Sequence, residues 1–130
     1  MNETPNIKDL KDKIDFGIKI WLEIKKNDET KNILGSGWAQ LLERINENTE
    51  GSLTKAAKEC GYSYKYAWNI LKRIEKRSGF SPVITGKGGR GGGGWVKLND
   101  WGLYLLKTYK NLVRELKEIE NKLEKNFKID

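Results

Sequence analysis

Three observations predict a mainly α (α+β) fold, a winged helix-turn-helix with an N-terminal strand and a long C-terminal helix. Two short amphipathic helical patterns meet at a glycine over residues 52–77, two β-prone runs flank a glycine-rich stretch over 82–98, and a narrow apolar stripe runs from Leu105 to Leu123. The 130 residues then divide into a winged helix-turn-helix domain over 1–104 and a C-terminal coiled-coil dimerisation helix over 105–130, a size at which a small core is feasible.

In chain order, Ile14, Phe16, Ile18, Ile20, Leu22 and Ile24 alternate with more polar neighbours such as Asp15, Lys19 and Glu23, the pattern of a half-buried strand. That strand is expected to join the small sheet near the wing. Residues 27–34 carry too little pattern to read as anything but a loop. Trp38, Leu41, Leu42 and Ile45 mark the first core helix, entered after Gly35-Ser36-Gly37. Leu53, Ala56, Ala57 and Cys60 recur at i, i+3, i+4 and i+7, with Ser52 placed to cap the first N–H groups and Gly61 placed to stop the helix in a left-handed conformation. Ser63 caps the next helix. Its apolar face is Ala67, Ile70, Leu71 and Ile74, edged by Tyr64 and Trp68, and Lys65, Asn69, Lys72, Arg73 and Lys76 share the opposite side. The small Ala56 and Ala57 allow close approach of the two helices, so residues 63–77 are assigned as the recognition helix.

Pro82-Val83-Ile84-Thr85 and Trp95-Val96-Lys97-Leu98 are β-prone runs on either side of Gly86–Gly94, which holds Lys87 and Arg90. Strand, basic glycine-rich tip and strand after a recognition helix describe a wing, where glycine lets backbone N–H groups approach sugar and phosphate. The same stretch spells GxGxxG. A dinucleotide fingerprint needs a helix opening from the loop to complete the anion site, and here a strand follows. After the cap Asn99, the residues Leu105, Tyr109, Leu112, Leu116, Ile119 and Leu123 alternate steps of four and three, the seam of a coiled coil, which predicts a homodimer. A helix packing only on its own domain would prefer a wider stripe.

Charge is concentrated. Residues 52–98 carry ten Lys and Arg against two acidic residues, whereas residues 1–51 are net −2 and 99–130 net +1, within a chain of net +7. A basic block that coincides with a helix-turn-helix and a wing is the electrostatic footprint of phosphate contact. A merely solvated face would mix signs, and in the recognition helix Glu75 stands alone among the cations. Single-stranded RNA readers present aromatic platforms on a sheet; here the aromatics look core-directed apart from Tyr66, so duplex DNA is the expected partner. Histidine is absent, the carboxylates are scattered, and Cys60 is single and on an apolar helix face. No catalytic residue, metal site or cofactor is therefore expected. No run has the apolar length of a membrane span and no signal-like N-terminus is present, so no membrane association and a cytoplasmic location are expected.

The run Gly51-Ser52-Leu53, Ala56-Ala57, Gly61-Tyr62-Ser63-Tyr64, Ala67-Trp68 and Ile70, followed by Thr85-Gly86 through Gly94 and Lys97-Leu98, resembles the N-terminal DNA-binding domain of ModE-type molybdate-responsive transcription regulators, distant relatives of the LysR-type winged helices. It covers about residues 38–106. The resemblance implies a dimer reading a two-fold symmetric site, with Ser63, Tyr64, Lys65, Trp68 and Asn69 in the reading helix and Lys87 and Arg90 in the wing. Asn99-Asp100-Trp101-Gly102 stands where the family more often has Thr-Pro-x-Gly, a departure at the entry of the last helix. The oxyanion-binding module of the full-length regulators has no counterpart up to Asp130, so molybdate sensing is not carried over.

The expected DNA-contacting set is Thr54, Ser63, Tyr64, Lys65, Tyr66, Trp68, Asn69, Lys72, Arg73, Lys76, Lys87 and Arg90. Two functions compatible with that set are a sequence-specific transcription regulator and an architectural, chromatin-type protein with little sequence preference. They differ in whether base-edge readers such as Asn69 matter.

Overall fold

The computed structural model describes residues 3–88 and 94–129. Among them the elements run α1 (Ile7–Lys11), β1 (Leu22–Lys26), β2 (Glu29–Leu34), α2 (Ser36–Glu47), α3 (Leu53–Glu59), α4 (Tyr64–Ser78), β3 (Val83–Gly86), β4 (Trp95–Leu98) and α5 (Asp100–Asn126). This is a mainly α winged helix extended by a 27-residue C-terminal helix. The core lies where α2, α3 and α4 meet. Ala56, Ala57 and Ala67 are almost wholly buried there, against Leu41, Leu42, Ile70 and Ile74.

Helix entries and exits follow local chemistry. Ser52 Oγ accepts from Lys55 N at 3.1 Å and Ser63 Oγ from Tyr66 N at 3.0 Å, each satisfying an N–H that the first turn leaves without a partner. Gly61 turns the chain between α3 and α4 with φ +75°, and Gly79 closes α4 with φ +91°. At the head of α5, Asn99 Oδ1 accepts from Gly102 N at 2.9 Å, while its amide donates to the Ser81 carbonyl at 2.7 Å. The substituted helix entry therefore works through an asparagine that also ties α5 to the base of β3.

The N-terminal region departs from expectation. The alternation over 14–25 predicts one strand joined to the wing sheet, yet β1 begins only at Leu22 and pairs antiparallel with β2, built from residues expected to be loop. This hairpin forms its own two-stranded sheet, separate from β3–β4. Asn27 and Asp28, both left-handed at φ 53° and 64°, make the two-residue turn, and Asn and Asp tolerate that region better than most side chains. Only the last two residues of β2, Ile33 and Leu34, are buried, so the strand carries little apolar signal. The short α1, capped by Asn6, buries nothing and was equally without an apolar pattern.

In the wing, Val83 pairs with Leu98 and Thr85 with Val96, turning Val83 and Val96 into the core. Gly86 faces Trp95 in the adjacent register, and a Cβ there would collide with the indole. Val96 N donates to the Gly51 carbonyl at 2.9 Å, docking β4 beside the α2–α3 connection.

α5 crosses the expected boundary at residue 105 without a break. Its first turns complete the core: Leu105 and Tyr109 are buried within the domain, at 2% and 6% exposure. Both were expected on a dimer seam; within the domain they instead pack inward, because this part of the helix covers α2 and β4 before it projects. Further along, Leu112, Ile119 and Leu123 are exposed at 42%, 54% and 43%, and Leu116 is half-buried.

Candidate nucleic-acid interface

α4 divides lengthwise. Ala67, Ile70, Leu71 and Ile74 are buried, and Lys65, Asn69, Lys72, Arg73 and Lys76 are all exposed on the other side. A side chain every 100° makes that split follow directly from spacing. Among the described residues, none of the ion pairs involves α4; paired cations elsewhere include Arg44 with Glu47 and Glu59, Lys110 with Glu43 and Lys31 with Glu29. Lys65, Lys72, Arg73 and Lys76 thus present unneutralised charge to solvent, with Asn69 between them. Lysine and arginine in that state suit phosphate, and asparagine suits the adenine edge.

The N-terminal turn of α4 adds aromatic surface. Tyr64 and Tyr66 are exposed at 52% and 44%. Tyr64 meets Trp68 edge to face at 6.2 Å, and Tyr66 meets Tyr62 at 4.9 Å, which holds both phenols in defined positions. Trp68 itself is half-buried and packs on the core, so its ring chiefly positions Tyr64. The Ser63 hydroxyl accepts the capping N–H and retains its own hydrogen for donation. Thr54 is exposed one residue into α3.

On the wing, Lys87 is exposed and Arg90 lies outside the described residues. Lys97, absent from the expected DNA-contacting set, is exposed on β4 with its ammonium 5.6 Å from the centre of the Trp95 ring. Its outward position follows from alternation with the buried Val96, a signal that a four-residue strand offers only weakly. Arg77 is a second addition. Its guanidinium donates to the Asn32 carbonyl at 2.6 Å and lies 5.6 Å from the centre of the Trp38 ring, which fastens β2 to α4.

Titration does not suggest chemistry. Burial, ahead of the opposing Arg44 charge, pushes the Cys60 thiol up, and burial does the same to the Tyr62 and Tyr109 phenols. All three stay neutral at physiological pH. Among the described residues no group of His, Cys, Asp and Glu could hold a metal ion, and no helix is long and apolar enough to cross a membrane.

The fold and this face define a winged helix whose fourth helix, α4, carries an exposed cationic face. No family model matches the chain. It is 39% identical over 59 residues to the DNA-binding transcriptional dual regulator ModE of Escherichia coli K12, covering 45% of this chain and 22% of that protein. It is similar also to the molybdenum transport proteins ModE of Herbaspirillum seropedicae, 38% identical over 64 residues, 49% of this chain and 23% of that protein, and of Azotobacter vinelandii, 34% over 84 residues, 65% and 30%. The chain spans less than a third of the length of these curated relatives. The resemblance carried by the helix-turn-helix and wing motifs is thus matched by sequence similarity to ModE proteins over part of the chain.

Proposed function

We propose that this protein is a sequence-specific double-stranded DNA-binding transcription regulator that acts as a homodimer in the cytoplasm and is not an enzyme. In this reading residues 63–77 enter the major groove and the wing, residues 86–94, rides on the flanking backbone or minor groove. The observation that carries it is the unpaired cationic face of α4 with Asn69 among the charges. Similarity to proteins named as transcriptional regulators supports the same reading. Residues 1–104 act as the DNA-binding domain and the projecting part of 105–130 as the dimerisation helix, through Leu112, Leu116, Ile119 and Leu123.

Titration of a duplex from the protein's own upstream region against random duplex, at several salt concentrations, tests this. Lys72→Ala should weaken both complexes and lower the salt slope by about one contact. Asn69→Ala should instead cost about 1–3 kcal/mol on the specific duplex and little on the random one. Equal affinity of the unmodified protein for the two duplexes would favour the architectural role, and equal losses for Asn69→Ala would remove it as a base reader.

A further inference from the structure

β2 lies along the C-terminal half of α4, and the two elements enclose an open groove of about 690 Å³ lined by Thr30, Lys31, Asn32, Arg73, Lys76 and Arg77. Its charges differ in how they are used. Arg77 is committed to the Asn32 carbonyl and the Trp38 ring. Lys31 has only Glu29, at 3.6 Å with both side chains more than half exposed, a geometry in which an ion pair contributes little. Arg73 and Lys76, among the described residues, have no hydrogen-bond or ion-pair partner. Cations separated by more than 40 positions in sequence are therefore brought to one groove with weak compensation.

α4 has 15 residues, a length of about 22 Å, which exceeds the roughly 12 Å width of the major groove. A helix whose first half reads base edges carries its second half, and the hairpin beside it, to the phosphates that line the groove. Glu29 on the rim lowers the attraction for a small isolated anion. A chain of phosphodiesters along the groove meets three lightly compensated cations, Lys31, Arg73 and Lys76, against the one carboxylate of Glu29.

We infer that the β2–α4 groove is a second DNA-backbone site, with the β1–β2 hairpin serving as an additional clamp whose contact residue is Lys31; this rests on the DNA-binding reading above. Arg73 belongs to both surfaces, which makes the groove continuous with the exposed face of α4. The partner is the sugar-phosphate backbone of duplex DNA.

The full chain, as Lys31→Ala, Lys31→Arg and Lys72→Ala variants, would be titrated with a random 40-base-pair duplex across a salt series, with single-stranded RNA of equal length in parallel. Loss of one phosphate contact should reduce the salt slope of Lys31→Ala by about 0.9 and lower affinity about fivefold to tenfold at 0.1 M salt, with Lys31→Arg restoring both. Lys31 is exposed, so the melting temperature should be unchanged; if Lys31→Ala proves unstable, Lys31→Gln is read in its place. Unchanged affinity and slope for Lys31→Ala, beside a clear loss for Lys72→Ala, would overturn the clamp and leave the DNA face standing. A loss confined to RNA would overturn it too. Absence of duplex binding by the unmodified protein would instead remove the DNA reading itself.

Discussion

Gly102 and Gly51 are positions where packing turns on a missing side chain. Gly102 is buried in the first turn of α5, and a Cβ there would run into the Pro82 carbonyl oxygen. An alanine in a helix is ordinarily better than glycine by about 1 kcal/mol, but overpacking a tight core costs about 1–3 kcal/mol, and here the obstacle is backbone. Gly102→Ala should therefore destabilise the fold, by about 1–2 kcal/mol, in a chemical unfolding titration. A gain in stability would mean that β3 and α5 can part at no cost. Cys60, Tyr62 and Tyr109 provide a second check at this scale. Burial raises all three above the ordinary values of 9.0 for the thiol and 10.0 for the phenols. The folded state thus holds these protons more tightly than the unfolded chain does. Their contribution is fully present below those ordinary values and is lost as pH rises through the higher folded ones. The melting temperature should fall as pH rises above about 9, and native Cys60 should react with iodoacetamide more slowly than the same thiol in the unfolded chain.

At the scale of elements, Ser63 is both a helix cap and a candidate phosphate contact, and substitution can separate the roles. Ser63→Ala removes the acceptor for Tyr66 N and should cost about 1 kcal/mol, with loosening of the turn that carries Tyr64, Lys65 and Tyr66. Ser63→Asp keeps an acceptor and places a negative charge at the helix N-terminus, so stability should be retained. Near a phosphate the same charge is repulsive. Duplex affinity should therefore fall in both variants while the melting temperature falls only in the first; full affinity for Ser63→Asp would take the α4 N-terminus off the DNA. Caps of this kind were legible in the sequence because each is a local event: Ser52, Ser63, Asn99 and Gly61 act on N–H groups or dihedrals within three residues of themselves. The cationic face of α4 was legible for the same reason, since one helix period generates it. The β1–β2 hairpin was not. Four of the six residues of β2 are exposed, and the pairing of Leu22 with Leu34 skips a residue at a bulge, so neither alternation nor hydrophobicity marks it. The groove with Lys31 depends on that hairpin and could not be read without it.

For the whole molecule, the unresolved burden is carried by the second half of α5. The helix is about 40 Å long, but its buried positions end at Tyr109; beyond the Lys110–Glu43 ion pair, Leu112, Val113, Ile119 and Leu123 are exposed. A helical stretch of some 17 residues held by few tertiary contacts is marginal in water, and an exposed apolar stripe along it raises the demand for a partner. The Phe16 ring meets Phe127 edge to face at 4.9 Å, which anchors the far end without covering the stripe. A second copy packed across a two-fold axis would bury the stripe and hold two recognition helices about 34 Å apart, one DNA turn, so that the second half-site is bound intramolecularly. Changing Leu116 and Ile119 together to Asp puts four carboxylates into such an interface. The expected product is a folded monomer by light scattering, with the domain core intact because neither residue belongs to it, and with affinity for a symmetric duplex reduced by more than tenfold towards the level for random DNA. Helix content measured by circular dichroism should fall as the unsupported segment frays, which distinguishes loss of a partner from loss of the domain. A double variant that stays dimeric, or one that is monomeric with undiminished affinity, would show that α5 does not couple the two DNA-reading surfaces.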